Sequence, residues 1–276
     1  MTGSSSAWVG RGLVPLEEAS IPIDDRGLTT GDGCFETMKV LDGVPFAVTR
    51  HLRRLTRSCG LLDIPAPADD VVREAVAAVV AANGAGVGRV RVTVTAGRAP
   101  LGPDRGDVEP GFFVLTGPPR SLAPSSVVAI CPWVRNERSP LAGAKGTSYG
   151  DNVVAARWAA ERGCDEALFA NTVGELCEGT GSNVFLVVDG VLRTPPLSSG
   201  CLAGVTRELV CELVEVEESP LPMAALAEAT EAFLTSSTRD VHPVSAVDGR
   251  MLGCPGPLTA DVRGQWQALV ARTSDP

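Results

Sequence analysis

Residues 141–152 read LAGAKGTSYGDN, and the reading of Lys145 in this stretch decides the fold. Lys145 and Lys39 are the only lysines among 24 Lys and Arg residues, and Tyr149 is the only tyrosine. Arginine and lysine serve almost equally well as solvated charges, but only an amine can form a Schiff base with a carbonyl. A chain that otherwise relies on arginine has kept a lysine here, among small residues. Lys145 is therefore a candidate for covalent chemistry; the alternative is a solvated surface lysine such as Lys39.

Three features outside this stretch bear on the choice. Glu178 in GELCEGTGSNVF (174–185) stands before a run of small residues and an apolar strand, an edge turn from which a carboxylate can meet a protonated ring nitrogen. In GCLAGVTREL (200–209) a helix opens after Gly204, so the N–H groups of Val205 and Thr206 and the helix dipole favour an anion. In TSSTRD (235–240) the hydroxyls of Ser236, Ser237 and Thr238 can form a phosphate cup, and Arg54 can add positive charge to the same anion. Taken singly, these read equally as a solvated loop glutamate, an ordinary glycine-initiated helix and a plain hydroxyl turn. No Walker loop and no strand-linked GxGxxG is present, which argues against ATP or NAD as the owner of the phosphate. A Schiff-base lysine, an acid for a pyridine nitrogen and a phosphate cup together fit one cofactor, pyridoxal 5'-phosphate.

The remaining sequence sets the frame. A length of 276 residues exceeds the usual single core, and the −9 net charge supplies no basic face for nucleic acid. RHLRRLTR (50–57) reads as one helix. No apolar run reaches membrane-spanning length and the start lacks a signal-peptide pattern, so a cytoplasmic protein is expected. The eight cysteines show no CxxC spacing and read as buried free thiols, and two histidines argue against a metal centre. GCFETMKVLDGVPFAV (33–48) is a hairpin around Asp42-Gly43, followed by a helix capped by Thr49 with Leu52, Leu55 and Cys59 on one face. A second helix runs from Asp69, as an Asp cap, to Asn83. RVRVTVTAG (89–97) and GFFVLTG (111–117) are strands. The Pro- and Ser-rich TGPPRSLAPSS (116–126) marks a boundary. This predicts an N-terminal domain over 1–117, a linker over 118–125 and a larger C-terminal domain over 126–276. The latter holds strands at VVAICPWV, EALFA and EAFLTSST, a hairpin at Asp189-Gly190, and helices over NVVAARWAAERG and GVTRELVCELV. The class is α+β, with the cleft between two lobes as the default ligand site.

DDRGLTTGDGCFET, RHLRRLTRS, KGTSYGDNVVAA, GCDEALFANTVGELCEGTGSNVFLV, TPPLSSGCLAGVTR and FLTSSTRDVHPV follow one another in an order and spacing that resemble the fold-type IV pyridoxal-phosphate enzymes. That family includes branched-chain and D-amino-acid aminotransferases and 4-amino-4-deoxychorismate lyase. The likeness runs from about Asp25 to Val244. It implies a two-lobed homodimer with a small N-terminal α/β lobe, a larger C-terminal lobe and the cofactor in the cleft between them. It also implies that Lys145 is the Schiff-base lysine and proton carrier and that Glu178 faces the pyridine nitrogen. Arg54, Val205, Thr206, Ser237 and Thr238 would hold the phosphate, and Tyr149 would lie near the cofactor's phenolic oxygen.

GDGCFET (31–37) and TAGRAPLGPDRG (95–106) look most like aminodeoxychorismate lyases. Phe35 and Thr37 would share the substrate-facing side of a strand. Arg98 and Arg105 could meet substrate carboxylates, or be solvated loop arginines. The loop lacks the arginine–histidine trap of D-amino-acid enzymes. The leading expectation is a lyase that releases pyruvate and 4-aminobenzoate. An aminotransferase of branched-chain or D-amino acids and 2-oxo acids is the alternative, and a non-catalytic binding protein a third reading.

Overall fold

Strict alternation at 89–95 gives a strand whose Val90, Val92 and Val94 are fully buried on one face. The computed structural model, which describes residues 5–107 and 109–276, builds a six-stranded antiparallel sheet around it. Its elements in chain order are β1 (Ser6–Val9), β2 (Gly12–Pro15), the short α1 (Arg26–Thr29), β3 (Gly33–Leu41), β4 (Val44–Pro45), α2 (Val48–Leu61), α3 (Asp69–Asn83), β5 (Arg89–Thr95) and β6 (Gly111–Gly117). The sheet order is β2-β1-β6-β5-β3-β4. One face carries Cys34, Met38, Val40, Val90, Val92, Val94 and Val114, packed against Leu52, Leu55 and Cys59 of α2 and Val72, Val76 and Val79 of α3. The β3–β4 turn has positive φ at both Asp42 and Gly43, which matches the twist of a tight hairpin.

Two helix starts differ from the sequence reading. The residue before α2 is Ala47 in the left-handed region, so Thr49 lies inside the helix. The cap comes from the far end of the chain. Asp275 accepts from the Thr49 N–H at 2.9 Å and from its hydroxyl at 2.6 Å, and Ser274 accepts from the Ala47 N–H at 2.7 Å. Asp69 is likewise the first residue of α3 and bonds as no cap; with Asp70 it complements the helix dipole instead.

The chain divides into two compact units. The first runs to Arg120 and takes in Ala144–Tyr149 and Ser274–Pro276; the second holds Ser121–Gly143 and Gly150–Thr273. Residues 118–125 carry no helix or strand. The second unit contains β7 (Ser126–Arg135), α4 (Gly150–Ala160), β8 (Glu166–Asn171), β9 (Leu176–Gly179), β10 (Asn183–Val188), β11 (Val191–Thr194), α5 (Val205–Leu213), β12 (Glu217–Glu218), α6 (Ala225–Glu228), β13 (Glu231–Ser236), β14 (Asp240–Val247), β15 (Arg250–Met251) and α7 (Pro257–Arg272). Its nine-stranded sheet runs β12-β11-β10-β13-β14-β7-β8-β9, with β15 on β14. Two neighbouring pairs, β14–β7 and β7–β8, are parallel and most of the others antiparallel, as expected of an α+β sheet. All six residues of β10 are buried, so the strand is covered on both faces and reads as an unbroken apolar run. Phe185 and Phe233 stack across β10 and β13 with ring centroids 4.7 Å apart. Among the described residues, no helix is long and apolar enough to cross a membrane.

The Asp275 cap makes the start of α2 measurable. Asp275→Ala is expected to destabilise the protein by about 1 kcal/mol, lowering the melting temperature by roughly 2–4 °C in a thermal denaturation run beside the wild type.

Candidate active site

Along β3 the side chains alternate, and the core-facing set is Cys34, Glu36, Met38 and Val40. A carboxylate at such a position must be matched by donors or remain neutral. Glu36 is matched. Arg54 of α2 donates to both of its oxygens, Nε to Oε1 and Nη2 to Oε2, each at 2.7 Å, and His51 Nδ1 lies 2.7 Å from Oε2. His51 and Arg54 are three residues apart, hence on one helix face. Burial pushes the Glu36 carboxyl upward, but the Arg54 charge and the bonds from Arg54 and His51 outweigh it and hold the pKa at about 2. Burial moves His51 the other way, below its ordinary value, against the pull of Glu36 and with help from the charges of Arg54 and Lys145. Arg54 thus enters the site with its guanidinium fixed in a bidentate fork.

The opposite face of β3 presents Phe35 and Thr37. Thr37 is paired in register with Arg91 of β5. The Arg91 guanidinium carbon lies 3.7 Å from the Phe35 ring centroid and Lys145 Nζ 4.4 Å from the same centroid, both within cation–π range. Tyr149 meets Phe35 edge to face at 5.4 Å. Lys145 is held through its main chain: its N–H donates to Ser58 Oγ at 3.1 Å and its carbonyl accepts from Phe35 N–H at 2.9 Å. Gly146 bridges Cys34, and Thr147 N–H donates to the Gly33 carbonyl at 2.8 Å. The segment 145–147 is therefore a short edge extension of β3, rigid in backbone while the lysine side chain projects over Phe35.

The two loop arginines flagged for substrate carboxylates are both engaged. Arg98 sits on the exposed Asp24 carboxylate at 2.9 Å. Arg105 holds Asp32 at 2.8 Å and the carbonyls of Leu62 and Asp63, and Asp32 also takes Arg26 at 2.9 Å. Arg91, which the sequence reading passed over as one residue of an alternating strand, is the cation that shares an aromatic ring with Lys145.

In the second unit the other features lie on β9, on β10 and on the loops that follow β11 and β13. Glu178 on β9 accepts from Leu202 N–H at 2.9 Å and pairs with Arg135 at 3.2 Å. Arg135 also lies over the Phe169 ring at 4.3 Å and donates to Asn152 at 3.0 Å. Asn183, the first residue of β10, donates to the Leu202 carbonyl at 2.8 Å and is paired in register with Thr235, just before the hydroxyl turn. Gly204 is the residue before α5, with no side-chain cap, and a Cβ there would come within 2.0 Å of Asn183 Oδ1. The helix must therefore start on bare backbone, which leaves the first-turn N–H groups, those of Val205 and Thr206 among them, for an anion. Ser237 and Thr238 lie in the turn joining β13 to β14, closed by Arg239 N–H on the Ser236 carbonyl at 3.1 Å. Backbone amides and hydroxyls that can donate to a phosphate, and a carboxylate that can accept from a protonated ring nitrogen, suit pyridoxal phosphate, and the side-chain-free start of α5 suits a close approach by phosphate.

A family model for class IV amino-transferases matches residues 33–247. A putative branched-chain-amino-acid aminotransferase of Methanocaldococcus jannaschii is 34% identical over 253 residues, 87% of each chain. The branched-chain aminotransferase of Thermoproteus uzoniensis, solved with norvaline, superposes with a TM-score of 0.91 at 29% identity, covering 97% of this chain and 95% of that one. A putative 4-amino-4-deoxychorismate lyase structure from Legionella pneumophila gives a TM-score of 0.86 at 26% identity, covering 92% and 96%.

The pKa of Glu36 carries a pH dependence. Its folded value lies below the ordinary glutamate value of about 4.5, so its stabilisation is complete above about 4.5 and is lost as pH falls toward about 2. Glu36→Gln is expected to cost about 3 kcal/mol at neutral pH, because it leaves Arg54 buried without its charge partner. It should also flatten the decline of stability across that acid window, read from urea unfolding at a series of pH values.

Proposed function

The chain belongs to the class IV amino-transferase family, and from that premise we propose that it is an aminotransferase moving the amino group of a branched-chain or D-amino acid to a 2-oxo acid. It is a pyridoxal-phosphate-dependent enzyme, as its family and relatives solved with pyridoxal or pyridoxamine phosphate indicate. The observation that carries the cofactor chemistry is Lys145, a scarce lysine clamped by its backbone to β3 and α2 and lying 4.4 Å from the ring centroid of Phe35; the Arg91 guanidinium on the same ring carries the choice of amino transfer.

In this reading the cofactor supplies an exchangeable aldehyde and a cationic ring that accepts the electron pair left when a proton departs. With the cofactor bound, the Lys145 amine would hold its aldehyde and would serve as the base for the substrate's Cα proton. Glu178 would face the ring nitrogen; its bonds to Leu202 N–H and Arg135 hold the carboxylate in one orientation. The amides of Val205 and Thr206 and the hydroxyls of Ser237 and Thr238 take the phosphate, with Arg54 adding a charge that Glu36 holds in one orientation. Tyr149 contributes a hydroxyl near the cofactor. Phe35, Thr37 and Arg98 form the expected substrate side, to which we add Arg91 as the cation for the substrate carboxylate. Relatives named for branched-chain substrates favour transfer over elimination. The lyase reading is kept second, on the likeness to the Legionella structure. A cytoplasmic homodimer remains part of the proposal.

Mixing the enzyme with L-valine, L-leucine or D-alanine alone should convert its absorbance to the pyridoxamine form, and adding 2-oxoglutarate should restore it. Lys145→Ala should lose turnover entirely and the borohydride-reducible link to the chain. Release of 4-aminobenzoate from aminodeoxychorismate, with no amino transfer to any 2-oxo acid, would overturn the aminotransferase in favour of the lyase. Sedimentation should give twice the 28.6 kDa chain mass; a monomer would remove the dimer from the proposal.

A further inference from the structure

The Glu166 carboxylate at the start of β8 is almost wholly buried yet makes none of the contacts just assigned to the cofactor. Its Oε1 accepts from the Thr180 N–H at 2.8 Å and from the Thr180 hydroxyl. Its Oε2 accepts from the Ser182 hydroxyl at 3.3 Å and pairs with Arg239 Nη2 at 2.9 Å. Arg239 is equally buried, with both side chains 2% exposed, and donates further to Ser126 Oγ at 3.0 Å and toward the Asp165 carbonyl at 3.4 Å. Its own backbone N–H closes the 236–239 turn on the Ser236 carbonyl and hydroxyl.

One carboxylate therefore grips two turns from different parts of the second unit. The 179–182 turn follows directly on Glu178, and the 236–239 turn carries Ser237 and Thr238. Gly179 fits only because it lacks a side chain: a Cβ would lie 2.5 Å from Ser182 Oγ and 3.2 Å from Glu166 Cγ. A buried ion pair rarely adds stability beyond what apolar residues of the same shape would give, so its use here calls for a role in fixing geometry. Arg239 follows a run of hydroxyls, which in sequence suggests a phosphate-binding arginine. Its guanidinium is instead turned inward onto Glu166, Ser126 and Asp165.

We propose that Glu166 and Arg239 are a positioning pair that sets the phosphate-binding turn at 236–238 in register with Glu178, the ring-nitrogen acid, while neither touches the cofactor. This rests on the assignment of Ser237 and Thr238 to the phosphate. The pair acts through the turns: Arg239 fixes the hydroxyl turn from behind, and Glu166 ties that turn to the one leaving Glu178.

The test compares pyridoxal phosphate with pyridoxal, which carries the same aldehyde and ring but no phosphate. Apoenzyme is prepared from wild type, Arg239→Ala, Arg239→Lys and Glu166→Gln, and both affinities are measured by absorbance and tryptophan fluorescence. The preference for the phosphorylated form is expected to fall roughly tenfold or more in Arg239→Ala and in Glu166→Gln, as when supporting contacts to a binding group are lost. Pyridoxal affinity should change less than about twofold, and Arg239→Lys should recover part of the preference. If Arg239→Ala does not fold, the double variant Glu166→Gln/Arg239→Met, which buries no charge, reads the same ratio. A preference that survives in the folded variants overturns the pair. A preference lost in Arg239→Ala but kept or raised in Glu166→Gln also overturns it, since that marks Arg239 as a direct phosphate ligand. A wild type without preference for pyridoxal phosphate overturns the phosphate assignment itself, and the pair with it.

Discussion

A carboxylate buried in the core has to stay charged and fully matched, or give up its charge, and each unit of this protein is organised around one that stays matched. In the first, Glu36 occupies a position that alternation assigns to an apolar side chain, between Cys34 and Met38. It is tolerable there because His51 and Arg54 come from one helix face at the spacing that lets both reach it. The same contacts dock α2 on β3 in a single register, which brings Ser58 of α2 to the Lys145 N–H and Phe35 of β3 beneath the lysine side chain. In the second, Glu166 gathers Thr180, Ser182 and Arg239. Replacing Glu36 by a neutral residue removes the common partner of His51 and Arg54, and replacing Glu166 removes that of the 180–182 turn and Arg239.

The elements easiest to read in the sequence were those whose signal is local. The alternation at 89–95, the Asp-Gly turns at 42–43 and 189–190 with positive φ, and the glycine that opens α5 each state their structure within a few residues. The misreadings came from partners far along the chain. Thr49 has the composition of a cap, but the cap is Asp275, 226 residues away. Glu36 carried a legible signal, a charge breaking the apolar face of a strong strand, which calls for a buried cation opposite; Arg54 was noticed for its charge and not for this pairing. The chemistry at Lys145, Glu178, Gly204 and the hydroxyl turn could be proposed because each needs a residue type that few others can replace. Arg91 could not be singled out, because an outward arginine in an alternating strand looks the same whether it meets solvent or an aromatic ring.

The attachment of 145–147 to β3 had no sequence signal either, and it explains how a lysine among small residues can be accurate in position. Gly146 and Thr147 bond through their backbones to Cys34 and Gly33, and the lysine's own N–H and carbonyl are both occupied. Main-chain bonds fix the Cα while leaving the four-carbon side chain able to swing. The acid–base role proposed for Lys145 needs both properties, since the amine would have to release one partner and then reach a proton nearby.

In the proposed reading the choice between transfer and elimination falls on the substrate side, because both reactions would use the same lysine, ring acid and phosphate cup. Aminodeoxychorismate brings two carboxylates, whereas an aliphatic amino acid brings one. Arg105 is held by Asp32 and two carbonyls, and Arg98 by Asp24, so a second carboxylate would have to displace an existing partner from either. Arg91 lies against Phe35, the ring it shares with Lys145, and across from Thr37. One cation beside an aromatic surface suits one carboxylate next to an aliphatic side chain. On that count the proposed substrate side, with Arg91 as its cation, is consistent with the amino transfer proposed above.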